Sequence, residues 1–467
     1  MLFSQFANHL QKLEGTSSRI TMTEHLAELY RELSADEIEV ASYLLQGQLR
    51  PSYEGVEFQI AIKTVIKALA RVGKQDTEPT SKQAENLALF EAEDFTAAEA
   101  AVTVEYKQTG DLGTVAEQSL RTGHSTAKKS LQSVYQELLQ IAEEGGSGSQ
   151  DRKLQALVTL LQSLDAVSAK FIIRIILGKL RLGFSTMTMI DAISWSGTGD
   201  KSHSSALELA FQKKADIGKL AATYLANPDQ DTRLAALEAY TVEVGVPIVP
   251  ALCQRLNSSQ EIIDKMGEVI AEPKFDGLRV QIHIDKTQSP PLVRTFTRNL
   301  EETSLMFPEL QTAFESLNCQ SCILDAEGIG YDPQTGQLLP FQQTITRKRK
   351  HEVAATAKDI PVRFYVFDVL TIDGQSFLDK KLHERKDELS KLFTQNEVFY
   401  QTEYITTKDP EELRSFHESQ LGDGLEGAVI KQLDSLYQSG RKGWNWVKIK
   451  EEEGTRGKLK DTLDCIV

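Results

Sequence analysis

The sequence predicts a multidomain protein in which an all-α domain precedes an α+β domain with antiparallel sheets. Apolar residues recur at helical spacing through roughly the first 220 residues. Beyond Pro247 and Pro250, which favour extended backbone, strand-like runs dominate. We therefore predict a helical domain at 1–225, a linker at 226–250, the α+β domain at 251–455 and the start of a further domain at 456–467.

The helical domain is predicted from apolar stripes and from a signal for a helix start. Leu26, Leu29 and Leu33 are separated by three and four residues, which places them on one helical face. Ser34 is followed three residues later by Glu37, and this pair predicts a capping box that opens the next helix. The two observations together predict consecutive amphipathic helices.

The second domain combines strand-like runs with helical stretches. Val280, Ile282 and Ile284 alternate with other residues, as expected for a β-strand. Residues 364–367 form a short apolar run that predicts a buried strand, whereas residues 382–392 have helical character. This mixture of strands and helices is typical of an α+β domain.

The charge of the chain limits the ways in which it could bind other molecules. Its net charge is −15, which argues against indiscriminate coating of DNA but not against local phosphate contact. No run approaches ~18 consecutive apolar residues, so no membrane span is predicted. The N-terminus lacks a basic region followed by an apolar stretch, so no signal peptide is predicted either.

One short motif carries most of the chemical information. It is the run from Glu272 to Arg279, which has the form E-x-K-x-D-G-x-R and contains Lys274. A lysine between acidic and basic neighbours at a strand edge suits covalent catalysis on a phosphate group. The alternative interpretation is a surface turn at Asp276-Gly277.

Further motifs follow Lys274 in a defined order. They are Arg294–Asn299, Asp325–Glu327, Phe367–Asp368, Glu426–Lys431 and Trp446–Lys450. Together with the Lys274 motif, this set resembles the nucleotidyltransferase motifs of the adenylation domain of ATP-dependent DNA ligases. Taken singly, each motif has a structural alternative, such as a core position for Phe367, the solvent face of a strand for Lys448 and Lys450, or an ion pair of Arg298 with a nearby glutamate.

The resemblance implies a role for each residue of the set. Lys274 is expected to be the nucleophile that takes AMP from ATP and releases pyrophosphate. Glu327 and Glu426 are hard oxygen ligands suited to Mg²⁺, which would offset charge on the α-phosphate. The residues expected to bind the nucleotide are Glu272, Arg279, Arg298, Glu327, Phe367, Lys448 and Lys450.

The helical domain resembles the DNA-binding domain of archaeal and eukaryotic replicative ligases. The similarity lies in residues 43–55, 110–117 and 172–183. Lys179 and Arg181 in the last segment are expected to contact DNA phosphates, with solvated residues at a helix end as the alternative. The basic run Arg347, Lys348 and Arg349 is likewise expected to form a surface loop near the DNA backbone, or else a solvated loop.

The resemblance also implies partners and a location. Nicked double-stranded DNA is the expected substrate, the chain is expected to act as a monomer in the cytoplasm (or the nucleus of a eukaryote), and a sliding clamp is a candidate partner in replication, repair or recombination. Residues 461–467 resemble the first strand of an OB-fold domain, which we expect to be truncated here. The alternatives are a catalytically impaired nick-binding fragment and an RNA ligase or capping-type nucleotidyltransferase.

Overall fold

The chain forms two compact units. The computed structural model describes residues 1–72, 87–120, 128–348, 360–393 and 396–450, with the backbone alone described for 87–95 and for Lys348. The first unit comprises Met1–Phe211 and Asp216–Thr241. The second comprises Gln212–Ala215 and the chain from Val242 onward.

The first unit is helical, as predicted. Leu26, Leu29 and Leu33 are buried in one hydrophobic core, and the Ser34 backbone N–H donates to Glu37 Oε2 at 3.0 Å, which confirms the capping box. The helices are α1 Phe3–Glu14, α2 Arg19–Glu32, α3 Ala35–Leu45, α4 Ile62–Val72, α5 Leu87–Thr109, α6 Leu112–Ser119, α7 Leu131–Glu143, α8 Ser149–Gln162, α9 Ala166–Ile176, α10 Thr186–Thr198, α11 Ser204–Lys213, α12 Ile217–Leu225 and α13 Gln230–Glu238.

The predicted linker at 226–250 is wrong for most of its length. Helix α13 lies inside it, and Leu237 of that helix is buried in the core of the first unit. The first unit therefore extends to Thr241 rather than ending at residue 225. The polar run at 227–232 resembles a linker in composition, but α13 begins within it and buries Leu237. The predicted further segment at 456–467 lies outside the described residues.

The second unit contains two β-sheets with helices between and beside their strands. Its helices are α14 Ser259–Met266, α15 Leu310–Ala313, α16 Phe341–Thr344, α17 Leu382–Leu392 and α18 Pro410–Gly422. Its strands are β1 Gln254–Arg255, β2 Val269–Pro273, β3 Leu278–Asp285, β4 Leu292–Thr297, β5 Ser321–Gly330, β6 Val362–Ile372, β7 Gln375–Ser376, β8 Phe399–Gln401, β9 Ile405–Thr407, β10 Ala428–Gln432 and β11 Trp446–Ile449.

The strand order brings the predicted motifs together. One sheet has the order β1-β11-β10-β2-β9, and the other has β4-β3-β5-β6-β7 with β8 beside β6. The pairing is antiparallel, as predicted, except that β1 is parallel to β11 and β8 is parallel to β6. Because the Lys274 motif connects β2 of the first sheet to β3 of the second, it stands where the two sheets meet.

The strand predicted from Val280, Ile282 and Ile284 is confirmed as β3, and these three residues are fully buried in the core of the six-stranded sheet. The five-stranded sheet has a separate small core that includes Val447 and Ile449. Among the described helices, none combines the length and the apolar character that crossing a lipid bilayer would require.

Candidate active site

A cavity of about 590 Å³ opens in the second unit, with residues of both sheets in its walls. All but one of the residues predicted for catalysis, nucleotide binding and metal binding line it. They are Glu272, Lys274, Arg279, Arg298, Glu327, Phe367, Glu426 and Lys448. Lys450, the remaining residue, contacts Glu426. Tertiary folding thus gathers side chains that lie up to 176 residues apart in sequence, from Glu272 to Lys448.

Backbone hydrogen bonds fix the position of Lys274. Its N–H donates to the Gly427 carbonyl oxygen at 2.9 Å, and the Glu426 N–H donates to the Lys274 carbonyl oxygen at 3.1 Å. These bonds extend the β2–β10 pairing by one step beyond Pro273. The Lys274 ammonium consequently contacts the Glu426 carboxylate inside the cavity.

Gly427 permits this arrangement because the backbone is crowded there. Its φ of 122° lies in a region that side-chain-bearing residues rarely adopt. A Cβ at this position would stand 2.3 Å from the Ile449 carbonyl oxygen and 2.9 Å from the His417 ring. Glycine therefore allows β10 and β11 to approach closely, beside the carboxylate of Glu426.

The two predicted metal ligands have opposite electrostatic character. Burial raises the pKa of Glu327 to about 7, although the positive charges of Arg279 and Lys274 act to lower it. Burial also acts to raise the pKa of Glu426, but hydrogen bonds from Lys274 and Lys450 outweigh it and the pKa is lowered. Glu327 is thus a carboxylate that a cation would stabilise, while Glu426 is already compensated by two lysines.

The donor set fits Mg²⁺. Magnesium is commonly held by one or two carboxylates together with phosphate oxygens and water, and does not need a cage made of protein alone. Glu327 and Glu426 both line the cavity, and within the described residues no cluster of three or more potential ligands occurs. Oxygen atoms of a bound nucleotide or of water would therefore complete the coordination that the two carboxylates begin.

Arg279 forms part of the wall between the two sheets. Its Nε and Nη2 donate to the two oxygens of the fully buried Asp325 at 3.0 and 2.6 Å, and its Nη1 donates to the Ala251 carbonyl oxygen at 2.6 Å. The Tyr437 hydroxyl donates to the same carboxylate at 3.0 Å. Asp325 therefore orients Arg279, which explains why an aspartate precedes Glu327 by two residues on β5.

Phe367 is partly buried at one wall of the cavity. Its ring packs edge-on to Trp446 at a centroid distance of 6.1 Å, and Lys431 Nζ lies 4.4 Å from its centroid. The ring therefore belongs both to a small apolar cluster and to the cavity lining. A flat face against a cavity can receive a nucleobase.

Glu272 is buried and paired with two lysines. Lys386 contacts one oxygen of its carboxylate, and Lys431 Nζ lies 2.6 Å from the other. Burial lowers the pKa of Lys431, while the charge of Glu272 opposes that shift. Neither lysine was predicted as a site residue. Lys431 ends the Glu426–Lys431 motif and so carried a signal, whereas Lys386 is one of several charged residues on α17 and carried none.

Lys448 lies on β11, and Lys450 directly follows the last residue of that strand. The inward positions of the strand are taken by Val447 and Ile449, as the alternation predicts, but the lysine face is not simply solvent-exposed. Lys448 lines the cavity, and burial, together with the charges of Lys450 and Lys274, lowers its pKa. Lys450 Nζ contacts Glu426 at 2.8 Å.

The remaining predicted cations have different surroundings. Arg298 is exposed at the cavity edge, whereas Arg294 pairs with Glu302. In the first unit, Lys179 and Arg181 are exposed, while Leu180 and Leu182 are buried. Arg181 has a positive φ of 58° and donates to the Gly110 carbonyl oxygen at 2.7 Å.

The predicted surface loop at Arg347 is wrong. The Arg347 side chain is fully buried and donates to both carboxylate oxygens of Glu309, at 2.7 and 3.0 Å. It also lies over the ring of Phe307. The composition of the basic run suggests that its residues are exposed. Arg347 is buried instead, because its guanidinium pairs with the Glu309 carboxylate inside the fold. The Lys348 side chain and Arg349 lie outside the described residues.

The chain matches two protein families along most of its length. Residues 2–194 match the family described as DNA ligase N terminus, and residues 250–450 match the ATP dependent DNA ligase domain. The probable DNA ligase of Dictyoglomus turgidum is 35% identical over 469 residues, which span 100% of this chain and 74% of that protein. DNA ligase 2 of Thermofilum pendens is 35% identical over 481 residues, with the same two shares.

Solved structures of ligases are more distant. Mycobacterial DNA ligase D complexed with ATP and MES is 24% identical, with a TM-score of 0.33, over 43% of this chain and 60% of its own. The Chlorella virus DNA ligase-adenylate is 18% identical, with a TM-score of 0.31, over 43% of this chain and 68% of its own.

The cavity has the groups that covalent nucleotide transfer requires, since an amine, two carboxylates and several cations converge on one volume, and this places the protein among the nucleotidyltransferases. The 35% identity to DNA ligases over the whole of this chain and the two family matches define it further. The chain belongs to the ATP-dependent DNA ligases, which seal nicks in duplex DNA through an enzyme-bound adenylate. The resemblance deduced from the motifs is confirmed.

Proposed function

We propose that Lys274 is the residue that carries AMP during ligation by this chain. The observation that supports this most directly is the position of its amine, in the cavity and against Glu426. In the first step, Nζ would attack the α-phosphorus of ATP, forming an N–P bond while the bond to pyrophosphate breaks. The amine must lose a proton in this step, and Glu426, already in contact with the ammonium, offers an oxygen through which the proton can leave.

The other cavity residues would bind and orient the nucleotide. Lys448, Lys450 and Arg298 provide positive charge for phosphates, and positioned cations contribute most of the stabilisation in phosphoryl transfer. Phe367 offers a face for adenine, and Glu272 offers an acceptor for its amino group. Arg279, held by its hydrogen bonds to Asp325, would contact the ribose or a phosphate. Glu327 and Glu426 would hold Mg²⁺, which supplies charge neutralisation at the α-phosphate when bound.

The later steps use the nick itself. AMP would move from Lys274 to the 5′-phosphate, and the 3′-hydroxyl would then displace AMP to close the backbone. In the first unit, exposed Lys179 and Arg181 lie among Gly178 and Gly183, which both have positive φ and leave the backbone open to close approach. We propose that this segment contacts DNA phosphates without reading sequence.

We propose further that the protein acts on nicked DNA as a monomer. Its substrate implies the cytoplasm, or the nucleus of a eukaryote, as the place of action. A sliding clamp is a candidate partner that would hold the enzyme on the same duplex.

The decisive experiment is incubation of the chain with α-³²P-ATP and Mg²⁺, followed by denaturing electrophoresis. We expect a labelled band in the native protein and none in Lys274→Ala. Lys201→Ala, at an exposed position of the first unit, serves as the matched control and should label normally. Label that persists in Lys274→Ala would place the nucleophile elsewhere.

A further inference from the structure

A threonine hydroxyl in the cavity wall has no hydrogen-bond partner. Thr402 is 2% exposed, and its Oγ1 is buried without a donor or acceptor among the described residues. The same residue lines the cavity. Burying a hydroxyl without a partner is unfavourable, so such a group in a ligand site indicates a hydrogen bond that the ligand completes.

The backbone holds Thr402 firmly at this place. Its N–H donates to the Val366 carbonyl oxygen at 2.9 Å, which continues the parallel pairing of β8 with β6. Three residues later the chain enters β9, which pairs with β2 opposite Ala271. Thr402 therefore lies where the chain passes from one sheet to the other. Its hydrogen-bond partner, Val366, immediately precedes Phe367 on β6, and β9 lies beside β2, the strand that contains Glu272.

The neighbouring groups define one end of the cavity. Phe367 supplies a flat apolar face, and Lys431 lies 4.4 Å from its centroid and 2.6 Å from the Glu272 carboxylate. Lys386 and Lys431 each contact an oxygen of the Glu272 carboxylate, so these oxygens act as hydrogen-bond acceptors at this end of the cavity. Thr402 is the complementary group, since a hydroxyl can donate. This end of the cavity thus presents a stacking face, an acceptor and a donor.

This pattern matches the amino edge of adenine. The exocyclic amino group donates, and the ring nitrogens on either side of it, N1 and N7, accept. Guanine presents a carbonyl oxygen at the same place, which would face the Glu272 carboxylate unfavourably. We propose that Thr402 is a base-specificity residue whose hydroxyl donates to N1 or N7 of adenine, while Glu272 accepts from the amino group. This inference rests on the proposed nucleotide site.

The test compares two substitutions in the complete chain. Thr402→Val keeps the shape and removes the hydroxyl, whereas Thr402→Ser keeps the hydroxyl. We expect the ATP concentration for half-maximal labelling of Lys274 to rise roughly tenfold in the valine variant, with the maximal rate within about twofold of native. The serine variant should stay within about threefold of native on both measures.

Analogues of ATP identify the accepting atom and control for folding. In the native protein, either 1-deaza-ATP or 7-deaza-ATP should lose about tenfold in apparent affinity. The valine variant should show no further loss with that same analogue, because the donor is already gone. A native enzyme that uses both analogues as well as ATP would overturn the proposal, even if the valine variant fails to fold. So would a folded valine variant with native affinity for ATP.

These outcomes are separable from the proposed function. If native protein fails to label at all, the role of Lys274 is wrong. If native protein labels and loses label in Lys274→Ala, but Thr402→Val binds ATP normally, only the role of Thr402 is wrong.

Discussion

Arg385 and Asp368 form an ion pair with no solvent exposure, and Asp368 directly follows Phe367 in sequence. Arg385 Nε and Nη2 donate to the two Asp368 oxygens at 2.7 and 2.9 Å, and both side chains are 0% exposed. Burial acts to raise the pKa of Asp368, but Arg385 outweighs it and the pKa is lowered. The pair anchors α17 to β6, and α17 also carries Lys386, which contacts Glu272. One helix therefore links the buried ion pair to Glu272 of the proposed nucleotide site.

Asp368→Asn should destabilise the second unit strongly. The substitution leaves Arg385 as a buried charge without its counterion, a change that typically costs about 3–5 kcal/mol. Urea unfolding should show a lower midpoint, and the affinity for ATP should fall because α17 shifts together with Lys386. Asp379→Asn is the control, because Asp379 is an exposed aspartate shortly before α17 and does not belong to the pair. Equal unfolding midpoints for native and Asp368→Asn would contradict this account.

Gly427→Ala should disturb the site that Gly422→Ala leaves intact. A Cβ at Gly427 would meet the Ile449 carbonyl oxygen at 2.3 Å, whereas a Cβ at Gly422 has open space around it. Overpacking of this kind costs about 1–3 kcal/mol, and here it displaces Glu426 and the backbone that pairs with Lys274. We expect loss of Lys274 labelling in the first variant and native labelling in the second. Normal labelling by both would show that β10 and β11 can separate freely.

The raised pKa of Glu327 predicts opposite effects of pH on stability and on labelling. Its pKa rises from the ordinary 4.5 to about 7, so the folded state holds the proton more tightly than the unfolded state. The contribution of protonated Glu327 to the stability of the folded state is fully present below about pH 4.5 and is lost as pH rises through about 7. Labelling should instead increase through the same pH range, because the carboxylate form is the one that binds Mg²⁺.

Two measurements check the role of Glu327. As pH rises from about 4.5 to about 7, the free energy of unfolding of Glu327→Gln should increase relative to that of the native protein. The variant thus gains stability relative to the native protein over this range. In the native protein, raising the Mg²⁺ concentration should move the midpoint of the labelling profile to lower pH, because metal competes with the proton. A midpoint that does not depend on Mg²⁺ would remove Glu327 from the proposed metal site.

Lys179→Ala should weaken DNA binding in a salt-dependent way. Loss of one phosphate contact lowers the slope of log affinity against log salt by about 0.9, with little dependence on DNA sequence. Lys63→Ala is the matched control, since Lys63 is also an exposed lysine of the first unit. Filter binding to a nicked duplex at several salt concentrations would measure the slopes. Identical slopes for both variants and the native protein would show that Lys179 does not contact DNA.

The sequence by itself determined which residues to expect in the site. The order of the motifs and the residue types within them predicted Lys274, Glu426 and Lys448 as site residues, and all three line the cavity. This was possible because each motif is a short local run at a strand end or turn, where function restricts the residue types directly. The helical spacing of the first unit and the alternation of β3 were equally local, and both predictions were confirmed.

Tertiary structure alone decided burial and partnership. Lys386 reaches Glu272 across 114 positions of sequence, and Arg347 turns inward to Glu309, although composition marks both as ordinary surface cations. The unpartnered hydroxyl of Thr402 likewise becomes visible only when two sheets close around it. The physical reason is that a charge or hydroxyl can be buried wherever a complementary group meets it, and that meeting is set by the packing of strands distant in sequence.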